Sequence, residues 1–288
     1  MLILKTQKDV DNQVDILKGK GKSIGFVPTM GALHEGHLSL IKKSNRANDI
    51  TVCSIFVNPT QFNDKSDFEK YPATIEKDIE MLVSVKCDIL FLPSVNEMYP
   101  KGFGNTDKAD FGYLATTLEG EFRPGHFDGM AQIVEKLLRT VCPDRLYMGQ
   151  KDFQQAMIVR QLIKIRKLKT ELVVCPIVRE KDGLAMSSRN VRLDKASRTL
   201  ALELSKTLNY LKRIIRQDTR EDAKTILKKA EVRISKFPDV KLEYIAWRNA
   251  STLKPVTKYN PEAEQVLLIA AFVGGVRLID NMLVNPKS

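Results

Sequence analysis

The chain of 288 residues has only three histidines, one tryptophan and four cysteines. The cysteines (Cys53, Cys87, Cys142 and Cys175) stand at wide spacings and form no CxxC pair, which argues against a zinc ribbon and against a disulfide framework. At least three of them lie in apolar strand-like or helix-end stretches, where a buried free thiol is the usual state. This usage is typical of a reducing cytosol, so we expect a cytoplasmic protein.

Long hydrophobic runs are also absent. The stretch closest to a membrane span, "EQVLLIAAFVGGVRLIDNML", is interrupted by Gly274, Gly275 and Arg277 and falls short of the length that a bilayer requires. The N-terminal "MLILKTQKDVDNQ" has too short an apolar run before its charges to be a signal peptide. We therefore expect a soluble protein with no membrane partner.

The positive charge is concentrated in the last third of the chain. Residues 1–180 carry 25 Lys and Arg against 23 Asp and Glu, whereas residues 181–288 carry 21 against 12. Such a basic region is usually a solvated face, but a domain that closes over a polyphosphate and an RNA-binding surface are functional alternatives. Because aromatic residues interleave poorly with these charges, RNA binding is the weakest alternative and we expect no nucleic-acid partner.

Apolar patterns predict an α/β fold in the first part of the chain. Near-continuous apolar runs indicate buried strands at 23–29, 49–58, 87–93, 145–149 and 171–178. Amphipathic patterns indicate helices at about 36–47, 74–85, 128–141 and 152–167. Buried strands that alternate with helices predict a doubly wound, Rossmann-like parallel sheet. The long loop at 94–120 is of a kind that tends to be functional.

The pattern changes near residue 178. Two charged amphipathic helices, at about 194–217 and 221–236, precede the alternating strand "KLEYIAWRNA" and a final pair of apolar strands around Gly274 and Gly275. This order predicts a smaller α+β domain. We therefore predict one domain at 1–177 and a second, basic domain at 178–288, which is the candidate for closing over a polyphosphate.

Two of the three histidines, His34 and His37, stand in "PTMGALHEGH", between a predicted strand and a predicted helix. Ligands of open α/β sheets bind at the carboxyl ends of the strands, and the amides at a helix N-terminus favour an anion. The i, i+3 spacing does not match the zinc motif HExxH, and neither GxxxxGK[ST] nor GxGxxG occurs. We therefore predict a phosphate site, where imidazoles donate hydrogen bonds as negative charge develops.

The same residues carry a family resemblance. "HEGH" resembles the HxGH signature of the nucleotidyltransferase superfamily, which includes the class I aminoacyl-tRNA synthetases and pairs this signature with a second loop, KMSKS. "GLAMSSRN" (183–190) is similar to that second loop. Its two hydroxyls and one guanidinium suit the phosphates of ATP.

Further stretches resemble the pantothenate synthetase family: "FVNPTQFN", "DFEKYPAT", "EGEFRPGHFDGM", "YMGQKDFQQ" and "VREKDGLAMSSRN". This resemblance implies an ATP- and Mg²⁺-dependent ligase that joins (R)-pantoate to β-alanine through a pantoyl adenylate, releasing pyrophosphate and AMP. It also implies a homodimer. The alternatives are another HxGH nucleotidyltransferase and, far behind, an RNA-binding protein.

The resemblance implies a set of site residues. The catalytic group comprises His34, Lys151 and His37, the last as a proton donor. The ATP-binding group comprises Met30, Gly31, Ala32, Leu33, His34, Glu35, Gly36, His37, Gly149, Gln150, Lys151, Asp152, Val178, Met186, Ser187, Ser188 and Arg189. Gln61 and Gln155 would hold pantoate and Gln61 also β-alanine, because an amide accepts and donates without repelling a carboxylate.

Other residues have weaker or structural interpretations. Asn58 and Tyr71 are secondary candidates for the pantoate pocket, and the magnesium ligands stay unassigned, with Asp78 and Asp152 as candidates. We expect Arg123 and His126 of "EFRPGHF" to be structural. Ala73, Asp128 and Phe153 depart from the family pattern, but none of them replaces a proposed phosphate or pantoate ligand.

Overall fold

A computed structural model of the chain describes residues 1–62, 65–103 and 108–285, and the side chains of all of these except residues 65 and 66. Asn63, the last residue of "FVNPTQFN", and residues 104–107 of the long loop lie outside this range. The chain divides into two compact units. The first comprises residues 1–150 and 154–176, and the second comprises residues 151–153 and 177–288.

The first unit alternates strands and helices along the chain. Its strands are β1 (Leu2–Leu4), β2 (Ile24–Thr29), β3 (Ile50–Ile55), β4 (Ile89–Phe91), β5 (Arg145–Gly149) and β6 (Glu171–Cys175). Its helices are α1 (Gln7–Gly19), α2 (Glu35–Ala47), α3 (Lys65–Glu69), α4 (Ile75–Ser84), α5 (Val95–Met98), α6 (Tyr113–Thr116), α7 (Glu119–Phe122), α8 (His126–Val141) and α9 (Phe153–Ile165). Short 3-10 turns occupy Pro59–Gln61 and Gln150–Asp152, and residues 151–153, which include the first residue of α9, belong to the second unit.

The six strands form one parallel sheet in the order β1-β4-β3-β2-β5-β6. From β2 the chain proceeds to β3 and β4 on one side and later to β5 and β6 on the other. The strand order therefore reverses between β2 and β5, which is the place where ligands bind in sheets of this kind.

Both faces of this sheet are covered, which explains the near-continuous apolar strands. Successive residues point to opposite faces, so Phe26 and Val52 join one buried cluster while Val27 and Cys53 join another. Helix α8 contributes to the first cluster with Met130, Val134, Leu137 and Leu138 among others. The predicted doubly wound parallel sheet is confirmed.

The second unit contains a three-stranded antiparallel sheet. Its elements are α10 (Lys195–Gln217), α11 (Ala223–Ile234), β7 (Val240–Asn249), β8 (Gln265–Val273) and β9 (Val276–Leu283), with the strand order β7-β8-β9. Asp194 and Asp222 cap the two helices by accepting from Ser197 N and Thr225 N. Trp247, Leu267 and Ile269 belong to the buried cluster that this sheet shares with its helices. The predicted smaller α+β part is also confirmed.

The structure shows the surroundings of the four cysteines. Cys53, Cys87 and Cys175 are buried free thiols, as expected for at least three of the four, whereas Cys142 is exposed. Burial raises the pKa of the Cys87 thiol to about 12.

Among the described residues, no helix combines the length and the apolar character that a membrane span requires.

Candidate active site

The segment that joins β2 to α2 carries both histidines. Gly31 and Ala32 adopt positive φ angles of 79° and 48°, so the chain turns sharply after Thr29. His34 occupies the N-cap position of α2 without capping it through its side chain. The first-turn amides of a helix lack partners within the helix and favour an anion. The positive end of α2 thus lies at the carboxyl end of β2.

The two imidazoles lie side by side at this position. Their ring centroids are 4.0 Å apart, with a tilt of 32° between the ring planes. Both side chains are half-buried, and His37 N donates to His34 O at 2.8 Å within the first turn of α2. The structure therefore brings the two predicted phosphate contacts together on one helical turn.

Asp78 fixes the turn that precedes these histidines. Asp78 is 1% exposed, and its carboxylate accepts hydrogen bonds from Ala32 N at 2.9 Å, Leu33 N at 2.8 Å and Thr74 Oγ1 at 3.1 Å. Both carboxylate oxygens are thus engaged with the protein. From the sequence, Asp78 is only a magnesium candidate, and its structural contacts are a role that sequence reasoning missed.

Gln61 lies in the 3-10 turn that follows β3. The residue is 8% exposed, its Nε2 lies 2.7 Å from Met30 Sδ, and its Oε1 lies 3.3 Å from Asn58 Nδ2. The structure therefore places the predicted pantoate ligand against the first residue of the predicted ATP segment. Asn58 is itself 1% exposed and also contacts Gly129 O and Tyr99 Oη.

Gln155 lies on the opposite side of β2 from Gln61. It belongs to the first turn of α9, which follows β5, and it is half-buried. Because β3 and β5 flank β2, the segments that follow these three strands lie along the same edge of the sheet. Gly149 ends β5 at this edge and Gln150 follows it. Tyr71 is half-buried, with its ring centroid 5.8 Å from that of Phe62.

The remaining predicted ATP residues lie in the second unit. Val178 and Met186 face each other across a tight turn, in which Met186 N donates to Val178 O at 3.0 Å and Gly183 has a φ of 96°. Ser187 caps a 3-10 turn at Ser188–Arg192, its Oγ accepting from Arg189 N at 3.3 Å. The side chains of Met186, Ser187, Ser188 and Arg189 are half-buried.

Two contacts with β9 are made by residues next to these or among the predicted ATP residues. Arg179 forms a bidentate ion pair with Asp280, with N–O distances of 2.7 and 2.9 Å. Asn281 Nδ2 donates to Lys151 O at 2.9 Å, which ties the main chain of Lys151 to β9. Asp152 is exposed. The described residues contain no group of three His, Cys, Asp or Glu side chains that could hold a metal ion.

A family model for "Pantoate-beta-alanine ligase" matches residues 2–283. The chain belongs to this family. The pantothenate synthetase of Bacteroides fragilis is 46% identical over 284 residues, which cover 98% of each chain. That of Caldicellulosiruptor bescii is 44% identical over 287 residues, with full coverage of both chains.

Solved structures of pantothenate synthetases share the fold. The enzyme of Thermus thermophilus is 36% identical, with a TM-score of 0.91 over 99% of this chain and all of the other. The pantoate-beta-alanine ligase of Francisella tularensis, crystallised with "Beta-gamma ATP and Beta-alanine", is 38% identical, with a TM-score of 0.80 and coverage of 100% and 99%. The family and the fold inferred from the sequence are therefore confirmed, whereas the roles of individual residues stay predictions.

Proposed function

We propose that this chain is an ATP-dependent pantoate–β-alanine ligase that forms pantothenate, AMP and pyrophosphate through a pantoyl adenylate. The observation that carries the proposal is the pair of adjacent imidazoles at the N-terminus of α2, at the point where the strand order of the sheet reverses. Membership of the pantoate-beta-alanine ligase family supplies the substrates.

The first chemical step needs groups that stabilise a leaving pyrophosphate. A carboxylate oxygen of pantoate attacks the α-phosphorus of ATP, and the bond from that phosphorus to the β-phosphate bridging oxygen breaks. Donors placed where charge develops favour this step. We assign that role to His34, His37 and Lys151, with proton donation by His37, and assign phosphate binding also to Ser187, Ser188 and Arg189.

The second step needs the acyl adenylate held for an amine. The neutral amine of β-alanine attacks the acyl carbon, AMP departs with the bonding electrons, and the amine nitrogen loses a proton. We assign the pantoyl group to Gln61 and Gln155, and β-alanine to Gln61. Amides suit both partners, since β-alanine and pantoate each carry a carboxylate that a fixed negative side chain would repel.

Magnesium is expected to enter with ATP. A polyphosphate-bound Mg²⁺ keeps several waters and takes few protein ligands. Both carboxylate oxygens of Asp78 accept hydrogen bonds from the main chain, which argues against direct ligation of Mg²⁺ by this residue. The exposed Asp152 is the better candidate.

We further propose a homodimer in the cytoplasm, which sedimentation equilibrium and cell fractionation would test.

The test of the proposal is the pantoate dependence of two partial reactions. Pantoate should support exchange of pyrophosphate into ATP, and AMP should appear only when β-alanine is added. Exchange without amine-dependent AMP would indicate another HxGH nucleotidyltransferase, and a folded protein without either reaction but with salt-dependent RNA binding would indicate the third alternative.

Variants of the histidine pair link the reaction to this site. His37→Ala should lower kcat by about 100- to 1,000-fold, which is the usual effect of removing one positioned donor to a transition-state oxygen. Lys42→Ala is the matched control, because Lys42 lies on the same helix and forms an exposed ion pair with Glu35. Equal losses in both variants would contradict the assignment.

A charge substitution tests the pantoate site. Gln155→Glu should raise the KM for pantoate strongly, since two like charges about 4 Å apart near a protein surface repel by roughly 4 kcal/mol. Gln161→Glu introduces the same charge six residues further along α9, at another half-buried position, and should leave that KM unchanged.

A further inference from the structure

The segment "EGEFRPGHFDG" (119–129) has no part in the function proposed so far, although it lies directly against the turn that carries Gln61. His126, the first residue of α8, is 6% exposed. Its Nδ1 lies 2.8 Å from the main-chain oxygen of Gln61. The buried ring of His126 therefore links α8 to the main chain of a proposed substrate-binding residue.

The partners of His126 define its tautomer. A carbonyl oxygen only accepts hydrogen bonds, so the proton must be on Nδ1, which donates to Gln61 O. The other ring nitrogen, Nε2, then accepts from Arg123 Nη1 at 3.1 Å. Arg123 in turn lies 3.7 Å from the Glu119 carboxylate in a partly buried ion pair. The guanidinium therefore holds the ring in the orientation that serves Gln61.

A second contact on the same face of α8 reinforces the first. Gly129, one turn after His126, accepts from Asn58 Nδ2 at 3.0 Å through its main-chain oxygen. A Cβ atom at Gly129 would lie 2.2 Å from Thr60 O, a distance that forbids any side chain. The first turn of α8 is thus packed closely against residues 58–61. Both contacts come from the first turn of α8, so they hold residues 58–61 together.

The opposite end of the segment reaches the helix that carries the second glutamine. Glu119 N donates to Gln154 Oε1 at 3.1 Å, and Gln154 Nε2 donates to Leu114 O and Thr117 O at 2.7 and 2.8 Å. Gln154 is 2% exposed and directly precedes Gln155. The segment 114–129 is therefore bonded to the main chain of Gln61 and to the neighbour of Gln155.

We propose that His126 is a positioning residue for pantoate: by holding the main chain of Gln61, it keeps the Gln61 amide in place for its ligand. Gln61 ends a 3-10 turn of only three residues, and so short a turn has little stability of its own. The inference rests on the proposed function, because it requires Gln61 to contact pantoate.

Three variants separate positioning from general stability. In His126→Asn the side-chain nitrogen can take the place of Nδ1 and still donate to Gln61 O. His126→Gln has a similar length but reaches only toward the place of Nε2. Thr140→Ala is the matched control: Thr140 is also buried on α8, at 6% exposure, and bonds to Gln7 Oε1 at 3.2 Å, away from Gln61.

Steady-state kinetics should distinguish these variants. His126→Gln is expected to raise the KM for pantoate about tenfold, the equivalent of one lost hydrogen bond at a site where the group is then left unpaired. The KM for ATP should change by less than about twofold, since no ATP contact is removed. His126→Asn should recover most of the pantoate affinity, and Thr140→Ala should retain all of it.

Two outcomes would overturn the inference. One is a parallel rise in the KM values for pantoate and ATP in His126→Gln. The other is an equal effect of Thr140→Ala on pantoate, with matched losses of unfolding free energy. If the unsubstituted protein shows no pantoate-dependent pyrophosphate exchange, the proposed ligase function is refuted, and not only the role of His126.

Discussion

Replacing Asp78 by alanine should damage the histidine segment more than any other part of the fold. The carboxylate is 1% exposed and receives the amides of Ala32 and Leu33 at 2.9 and 2.8 Å. Ala32 has a φ of 48°, which an L-residue adopts only at a cost. The carboxylate therefore holds a strained turn in the conformation that places His34 at the start of α2.

The magnitude follows from these contacts. Each buried amide left without an acceptor destabilises the native state by about 1–3 kcal/mol, so an unrelaxed turn would lose roughly 2–6 kcal/mol. The left-handed conformation at Ala32 is itself unfavourable by about 1–2 kcal/mol, so the turn has a reason to rearrange once Asp78 is gone. Rearrangement recovers part of the stability but displaces His34 and His37. We therefore expect the unfolding free energy to fall by an amount near the lower end of that range, about 2 kcal/mol. The KM for ATP should rise at least tenfold, which is equivalent to about 1.4 kcal/mol.

Urea unfolding and the ATP dependence of pyrophosphate exchange measure the two effects. Asp144→Ala is the control, because Asp144 Oδ2 accepts from Ile24 N at 2.7 Å at the amino end of β2, away from the histidines. That variant should lose some stability without a change in the KM for ATP. An Asp78→Ala protein with an unchanged KM for ATP would refute the reasoning, whatever its stability.

Three further predictions concern stability and thiol chemistry. Gly25→Ala should destabilise the protein by about 1–3 kcal/mol in urea unfolding, because the new Cβ would lie 2.1 Å from Ser44 Oγ; an unchanged midpoint would contradict the close packing. In the native state only the exposed thiol of Cys142 should react rapidly with a thiol reagent, whereas all four thiols should react after denaturation. Cys142→Gly should abolish the fast reaction. It should not destabilise the protein, because the φ of 42° at this position is one that glycine adopts readily. Burial raises the pKa of Cys87 from 9.0 to about 12, so the unfolded state binds fewer protons above pH 9 and stability should fall between those two pH values. Cys87→Ser should reduce this fall, and an equal pH profile for both proteins would argue against the raised pKa.

Most of the regular elements were predictable because their signals are local. The helices predicted at about 36–47 and 74–85 are observed at Glu35–Ala47 and Ile75–Ser84, and strand 145–149 has the bounds predicted. β1 has no counterpart among the predictions, because three residues are too few to show a period. The loop predicted at 94–120 contains α5, α6 and the start of α7, each of four residues. α1 was also missed, although Val10, Val14 and Leu17 show helical spacing.

The proposed site could be inferred from the sequence only where a motif indicated it. "HEGH" and "MSSRN" indicated phosphate chemistry because they combine donors with glycine or hydroxyl residues at a strand end or in a loop. Asp78, Tyr99 and Gln154 belong to no such pattern, and His126 was judged structural from its motif alone. Their importance comes from hydrogen bonds to atoms 35 to 65 residues away, which no local pattern encodes.

The amino-acid sequence by itself determined the alternation of buried strands and amphipathic helices, the family and the two motifs, because periodicity and motif residues are properties of short segments. Only the tertiary structure decided the strand order, which makes β2 the neighbour of both β3 and β5 and so gathers the segments of His34, Gln61 and Gly149 along one edge. It also decided which buried groups hold those segments. The physical reason is that strand pairing and core packing join residues distant in the chain, and their energies depend on the whole set of contacts formed together.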